Sequence, residues 1–254
     1  MQTETDELAA VAEWLEHADQ ITALTGAGVS TESGIPDFRG PNGSWTKDPA
    51  AQRRATIQHY MASKQARVDA WRMRSEHSSR TVGPNAGHVA LAELERKGKL
   101  HTLITQNIDS LHQKAGSSAG ALIEIHGALR DVVCLGCGER RPMETALERV
   151  RAGEDDPSCT VCGGVLKSAT ISFGQPLDPE ILEGAQAASS ACDVFLAIGT
   201  SLSVFPAAYL PQRALQAGAR LVIVNAEPTR FDGRAHTVLR GTIGHTLTSL
   251  VALV

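Results

Sequence analysis

Short apolar, β-branched runs alternate with helix-like stretches along most of this 254-residue chain. The runs are Ile21-Thr22-Ala23-Leu24, Leu103-Ile104-Thr105, Leu122-Ile123-Glu124-Ile125, Val194 to Ile198 and Leu221-Val222-Ile223-Val224. Helical stretches run from Ala86 to Lys97, Pro179 to Ala188 and Pro206 to Ala217. This alternation predicts an α/β fold, with a mostly parallel sheet covered by helices on both faces. Ligands of such sheets bind beyond the carboxyl ends of the strands. A helix is also expected before the first strand. Thr5 is expected to cap it, with Asp6 and Glu7 in its first turn and Leu8, Val11, Ala12 and Leu15 along one face.

Two segments break the alternation. Residues 41–80 carry charge and helical patches but no clear strand, and residues 131–167 carry four cysteines and several glycines. Both are expected to be insertions, a helical module and a metal-binding module, that pack together as a smaller lobe. Residues 1–40, 81–130 and 168–254 then form the sheet domain. The chain is long enough to bury a core without disulfides. A hydrophobic fraction of 42% and a charged fraction of 20% exclude a disordered or fibrous chain. The net charge of −4 argues against broad attraction to nucleic acid or an anionic membrane. No stretch approaches the roughly 18 apolar residues of a membrane span, and the acidic start, Met1 to Glu7, is unlike a secretory signal. A cytoplasmic location is expected.

The cysteines fit a reducing compartment. Cys134/Cys137 and Cys159/Cys162 are two Cys-x-x-Cys pairs separated by residues 138–158. That spacing is similar to a zinc ribbon, with four thiolates in a tetrahedral site. Four thiolates leave no open coordination position, so one structural Zn²⁺ is expected rather than a catalytic one. A redox dithiol is the alternative, and nothing nearby supplies its usual βαβ context. Cys192, beside the apolar run Val194 to Ile198, reads as a small core residue.

Several strand ends carry polar or glycine-rich residues. Thr25-Gly26-Ala27-Gly28-Val29-Ser30 follows the first strand, where glycines let the backbone approach a phosphate. A tight turn without ligand is the alternative, since the G-x-G-x-x-G pattern is broken by Thr31. Gly199-Thr200-Ser201 and Asn225-Ala226-Glu227 end two others, and Glu227 is placed to bind ribose hydroxyls. Gln106-Asn107-Ile108-Asp109 and His126-Gly127 end two more. His126 is the candidate base, with His88 and His112 as rivals on sequence alone. No nucleophile elbow, P-loop lysine or Cys-His arrangement is present. The site is therefore expected to work by positioning and general base action, with the nucleophile supplied by a substrate.

Taken together, these motifs resemble the sirtuins, the NAD-dependent protein-lysine deacylases. Gly26 to Gly40, Thr105 to His112, Ile125-His126-Gly127, the four cysteines, Phe173-Gly174, Gly199 to Val204 and Asn225-Ala226-Glu227 follow in the family's order. The resemblance implies a Rossmann-like NAD-binding domain and a small lobe of zinc-ribbon and helical modules, with NAD in the cleft and acyl-lysine entering opposite. It implies His126 as base, with Asn107 and Asp109 holding the nicotinamide ribose and carboxamide side. Cofactor contacts are expected from Gly26, Ala27, Gly28, Ser30, Gln106, Ile108, Gly199, Thr200, Ser201, Asn225, Ala226, Glu227 and Ile243. Asp37, Phe38 and Arg39 would form a mobile cofactor loop. Acylated proteins or peptides would lie against Phe173, Gly174 and Val204 by strand pairing. Products would be free lysine, nicotinamide and O-acyl-ADP-ribose, from a protein expected to be monomeric.

The chain departs from the family at Ser168 and Gln175, where many members have Pro and Glu. Members that prefer acidic acyl groups carry a Tyr-x-x-Arg pair in the helical module, with a small Ala upstream. Here the pair is Trp71 and Arg74, with Ala55 upstream. Arg74 is expected either to pair with a succinyl or malonyl carboxylate or to be a solvated helix residue. Other readings of the chain are an ADP-ribosyltransferase or NAD glycohydrolase, a nucleotide-sensing zinc-ribbon protein and a dehydrogenase.

Overall fold

The computed structural model describes residues 2–78 and 82–254. Its main sheet has six strands in the order β3-β2-β1-β7-β8-β9: β1 (Ile21–Thr25), β2 (Leu100–Thr105), β3 (Leu122–Glu124), β7 (Val194–Ile198), β8 (Arg220–Val224) and β9 (Thr237–Leu239). Every pairing in it is parallel. A smaller antiparallel sheet has the order β5-β4-β6, from β4 (Gly127–Cys134), β5 (Arg140–Pro142) and β6 (Leu166–Thr170).

Period-two alternation divides the large sheet between two cores. Ile21, Ala23, Val194, Leu196, Ile198, Val222 and Val224 face the helices Gln2–His17, Ala86–Arg96 and Ile243–Leu253. Leu24, Phe195, Ala197, Leu221 and Ile223 face Pro179–Ala191 and Leu210–Gln216. Both faces are covered, so β1 and β7 are buried along their whole length, as parallel strands require. The N-terminal helix starts at Gln2, so Thr5 lies inside it rather than at its cap. The helix expected from Pro206 begins as a 3-10 turn, Ala207–Tyr209.

The smaller sheet runs from Gly127 to Thr170, so β4 and β6 straddle the cuts expected at residues 130 and 168. The helices Ser44–Lys47, Ala50–Arg54, Ile57–Ala62 and Lys64–Ser78 fill the other inserted segment, and the last two reach this sheet, with Tyr60 Oη donating to Leu166 O at 2.7 Å. Trp71 enters one core with Val132, Cys134, Met143, Leu147, Cys159 and Leu166. A mostly buried ion pair, Arg67 to Asp156 at 2.9 Å, joins the same two modules. The four cysteine sulfurs lie within 4.8 Å of one another. Cys134 and Cys162 are 3.5 Å apart and Cys137 and Cys159 3.8 Å apart. A tetrahedron of Zn–S bonds near 2.3 Å has edges of about 3.8 Å, so the spacing fits zinc and is far too long for a disulfide.

A polar layer lies inside the sheet domain beneath the ends of β1 and β2. Thr25 Oγ1 donates to Thr105 Oγ1 at 2.9 Å and lies 2.9 Å from His112 Nε2. His112 Nε2 therefore carries the proton and donates to Thr25, which leaves Nδ1 bare, buried and without a partner. His88 packs against His112 with ring centroids 4.8 Å apart. Burial lowers the pKa of both rings, that of His112 to about 3 with a further push from His88, whereas Asp109 and Glu32 partly oppose the lowering at His88.

Two outcomes follow from this architecture. Removing the metal with a chelator, or replacing Cys159 with Ser, is expected to abolish amide-exchange protection in β4, β5 and β6 while β1, β7 and β8 keep theirs. Exchange read by mass spectrometry, with metal content measured in parallel, checks this. The buried imidazoles set an acid dependence. The unfolded chain binds protons near pH 6.5, whereas the folded rings do not. Their stability contribution is complete above pH 6.5 and declines as the pH falls toward 3. Urea unfolding at pH 7.5, 6.0 and 5.0 is expected to show a shallower acid decline for His112→Gln than for the unsubstituted chain.

Candidate active site

The order in which strands are added to the large sheet reverses between the parallel neighbours β1 and β7. From β1 the strands step outward to β2 and β3, and from β7 to β8 and β9. Such a switch point is where open parallel sheets bind ligands, and the candidate residues gather at its carboxyl rim. Gly26 follows β1 and opens a 3-10 turn, Ala27–Ser33. Its neighbour Gly28 donates from its N–H to Gly199 O at 2.8 Å. A Cβ on Gly28 would lie 2.7 Å from Gly199 Cα, and one on Gly26 would lie 2.8 Å from Thr200 Cβ. Gly199 itself has φ +60°, and a Cβ there would meet Val29 N at 2.4 Å. The glycines thus answer first to backbone meeting backbone across the switch point, and not only to a phosphate.

That junction fixes a polar cluster. Ser30 Oγ donates to Asp109 Oδ2 at 2.7 Å, and Asn107 Nδ2 reaches both Ser30 Oγ and Gly26 O at 3.1 Å. Asp109 Oδ1 accepts from Leu111 N at 2.9 Å, which caps the short helix Leu111–Ala115. Gln106 Nε2 donates to Thr200 Oγ1 at 2.9 Å, linking the end of β2 to the loop after β7. Ile108 O accepts from Leu129 N at 3.1 Å, tying the same segment to β4.

His126 stands between β3 and β4. Its Nδ1 lies 3.1 Å from Gln106 O. A carbonyl can only accept, so Nδ1 carries the proton and the neutral ring presents a free lone pair at Nε2. Its own carbonyl accepts from Ile171 N at 2.8 Å, which fixes the backbone from the other side. Burial lowers the ring's pKa, and the bond to Gln106 O opposes that in part. His126 is half-buried, whereas His88 and His112 are fully buried. Among the three, only His126 has an edge that a ligand can reach.

Other expected contacts fall around the rim. Asn225 Nδ2 donates to Glu227 O at 2.7 Å, and Ala226 and Glu227 are exposed at the end of β8. Ser201 is exposed beside buried Thr200, and its Oγ lies 2.7 Å from Ser203 Oγ. Ile243 is nearly buried in the core at the start of the last helix. Asp37, Phe38 and Arg39 form a loop whose neighbour is an open depression of about 360 Å³ along Thr31, Gly34, Ile35, Pro36, Pro41 and Asn42. Phe173 is held by the small lobe: its N–H donates to Ala55 O at 3.1 Å, and its carbonyl accepts from Ile57 N at 2.9 Å. Gly174 has φ +84°, and Val204 is half-buried in the loop after β7.

Trp71 has no exposed surface and is a core residue of the small lobe, so the substrate contact expected of it has no open face to occupy. Arg74 is not a solvated helix residue either. Its Nη2 donates to Ser168 Oγ at 2.8 Å, while Nε and Nη1 are enclosed without a partner. Sequence reasoning missed Trp45, Lys167 and Arg240. Arg240 Nη1 binds Asn225 O at 2.9 Å and Glu227 O at 2.7 Å, holding the β8 loop. No local motif marks that arginine, which lies 13 residues beyond Glu227.

Comparison with known proteins adds to this geometry. Residues 26–206 match the Sir2 family. The chain is 53% identical over 231 residues to NAD-dependent protein deacetylase 2 of Streptomyces coelicolor, covering 91% of this chain and 96% of that protein. It is 46% identical over 235 residues to NAD-dependent protein deacetylase 1 of Bradyrhizobium diazoefficiens, covering 92% and 91%. Among solved structures, a Sir2 protein with a p53 peptide and NAD⁺ superposes with a TM-score of 0.83 at 31% identity, covering 96% of each chain. One from work on the mechanism and regulation of Sir2 enzymes superposes at 0.87 and 39% identity, covering 98% and 97%. The chain belongs to the Sir2 family.

Proposed function

We propose that the protein is an NAD-dependent protein-lysine deacylase, with deacetylation as its basic reaction. The observation that carries this reading is His126: a half-buried imidazole with Nδ1–H spent on Gln106 O and Nε2 free, beside the polar cluster at the sheet's switch point. Its relatives named as NAD-dependent protein deacetylases support the reaction class. The rim fits NAD by its small residues and an acidic group, since the N–H groups of Gly26 and Gly28 are spent on Ile198 O and Gly199 O. Gly26, Ala27, Gly28 and Ser30 lie at the switch point, and Glu227 offers an exposed carboxylate that pairs with no described cation. When bound, NAD would supply an electrophilic ribose carbon that exchanges nicotinamide for the acyl oxygen; with one water consumed as the acyl carbon parts from the lysine nitrogen, the products would be lysine, nicotinamide and O-acyl-ADP-ribose.

The protein's own groups then have defined tasks. Asn107 and Asp109, locked together through Ser30, position the ribose and carboxamide side. His126 Nε2 takes a proton from a ribose hydroxyl, and the Gln106 carbonyl stabilises the imidazolium that results. Phe38 and Arg39 cover the cofactor side. Phe173, Gly174 and Val204 receive the acyl-peptide as an added strand. The four cysteines hold Zn²⁺ as a brace for the small lobe.

A finer reading concerns the acyl chain. Arg74 and Lys167 are two cations in one buried region, and neither has a carboxylate partner among the described residues. Lys167 Nζ bonds only to the carbonyls of Ser168 and Thr170, and burial followed by repulsion from Arg74 pushes its pKa down to about 8. Buried cations are normally paired, and enclosed N–H groups normally bonded. Ser168 Oγ lies 3.0 Å from Thr170 Oγ1, and Thr170 pairs with Gly127 beside His126. This chain of contacts supports acceptance of succinyl or malonyl groups, whose carboxylate would take the spare donors of Arg74.

Two experiments test these readings. His126→Ala is expected to lower kcat/KM on an acetyl-lysine peptide by at least about 100-fold with little change in melting temperature. Because the base acts when neutral and its pKa is lowered, the acid limb of kcat/KM is expected below the ordinary imidazole value of about 6.5. An acid limb at or above that pH contradicts the assignment. For the acyl chain, Arg74→Ala is expected to reduce kcat/KM on succinyl-lysine roughly 10- to 100-fold more than on acetyl- or butyryl-lysine. Equal proportional loss on all three removes Arg74 from acyl recognition.

A further inference from the structure

The cofactor loop and the acyl-peptide segment meet through one side chain that neither set of motifs includes. Trp45 lies in the short helix Ser44–Lys47. Its ring is 4.8 Å from that of Phe38 and 5.4 Å from that of Phe173, measured between centroids. The Arg39 guanidinium carbon sits 4.5 Å from the same ring. One indole therefore touches two residues on the dinucleotide side of the cleft and one on the peptide side.

The two sides are otherwise held differently. On the cofactor side, residues 37–46 fold back on themselves. Ser44 N donates to Asp37 O at 2.8 Å, Trp45 N to Phe38 O at 2.9 Å, and Gly43 N to Gly40 O at 2.9 Å. Thr46 Oγ1 donates to Gly40 O at 2.9 Å. A Cβ on Gly43 would lie 2.5 Å from Phe38 C, so this closure needs glycine there. The loop is a self-bonded unit, and Trp45 moves with Phe38 and Arg39. On the peptide side, Phe173 is anchored to Ala55 and Ile57 by two backbone hydrogen bonds. The Trp45–Phe173 contact joins this unit to that anchor.

We infer that Trp45 is a positioning residue that couples the two ligands, making dinucleotide affinity depend on whether the acyl-peptide is in place. A ligand that sets Phe38 and Arg39 also sets the indole, and the indole sets the face of Phe173 that an acyl-peptide meets. The converse holds by reciprocity. A ring pair of this kind is worth roughly a two- to tenfold factor, and the guanidinium over the indole adds to the stiffness of the unit. The inference rests on the deacylase reading and adds to it a residue outside its motifs.

The test is calorimetric titration of the whole protein with carba-NAD, a non-cleavable analogue, with and without saturating acetyl-lysine peptide. In the unsubstituted protein the peptide is expected to tighten analogue binding about tenfold. Trp45→Ala is expected to cut that factor to within about twofold, with a peptide-free affinity changed less than the factor itself. Trp45→Phe keeps both ring contacts and is expected to restore most of it. A melting temperature of Trp45→Ala close to that of the unsubstituted protein separates coupling from folding. Trp45→Ala with an undiminished factor overturns the inference, as does an unsubstituted protein that binds both ligands independently. A protein that binds neither analogue nor peptide overturns the deacylase reading as well.

Discussion

At the middle of the large sheet two backbones touch with no room for a side chain between them. Gly28 donates to Gly199 O, and Gly199 presses its α-carbon against Gly28 and Val29. Everything at the rim depends on that approach. It sets Gly26 O where Asn107 binds it and Ser30 where Asp109 binds it. It also brings Thr200 to Gln106, whose carbonyl orients His126. A methyl group at either glycine would push the ends of β1 and β7 apart and loosen each of these bonds in turn. The site is thus built by the switch point, where the strand order extends to either side of the parallel pair β1 and β7.

The small lobe contributes in a different way. β4 begins at Gly127, next to His126, and ends at Cys134, a zinc-type ligand. The two lie at opposite ends of the strand, seven residue steps apart with a bulge between Gly127 and Val132. The thiolate cluster is therefore remote from the imidazole, and four sulfurs leave the ion no open position. Its work is to hold a core too small to stand alone, built around Trp71 with Cys134 and Cys159 in the same cluster. That core carries β6, and β6 delivers Phe173 to the cleft. Metal and base are linked through strands rather than through chemistry.

Much of this was legible in the sequence. Apolar runs such as Val194 to Ile198 declare buried parallel strands because both faces of a covered sheet are apolar. Two Cys-x-x-Cys pairs declare a tetrahedral site because the spacing allows little else. Polar residues after strands mark the rim, and His126 is among them. Three-dimensional packing decided the rest. His126 stands out from His88 and His112 in the sequence by following an apolar strand and preceding Gly127, and in the structure by being only half-buried. The glycines after β1 look like phosphate contacts until Gly199 is seen against them. Trp71 sits at helical spacing from Arg74, yet one is core and the other has unspent donors beside Ser168. Strands β4, β5 and β6 interrupt their apolar residues with charged or small polar ones, Arg130-Asp131, Arg140-Arg141 and Lys167-Ser168, so no apolar run marks them.

The central claim is that one crevice, at the switch point and beside His126, brings the dinucleotide and the acyl-lysine together. Product stoichiometry tests it most directly. An acetyl-lysine peptide incubated with NAD and the zinc-loaded protein is followed by mass spectrometry of every product. The account predicts nicotinamide, deacetylated peptide and O-acetyl-ADP-ribose in equal amounts. Free acetate with NAD left intact, or a peptide that gains ADP-ribose and keeps its acetyl group, would contradict it.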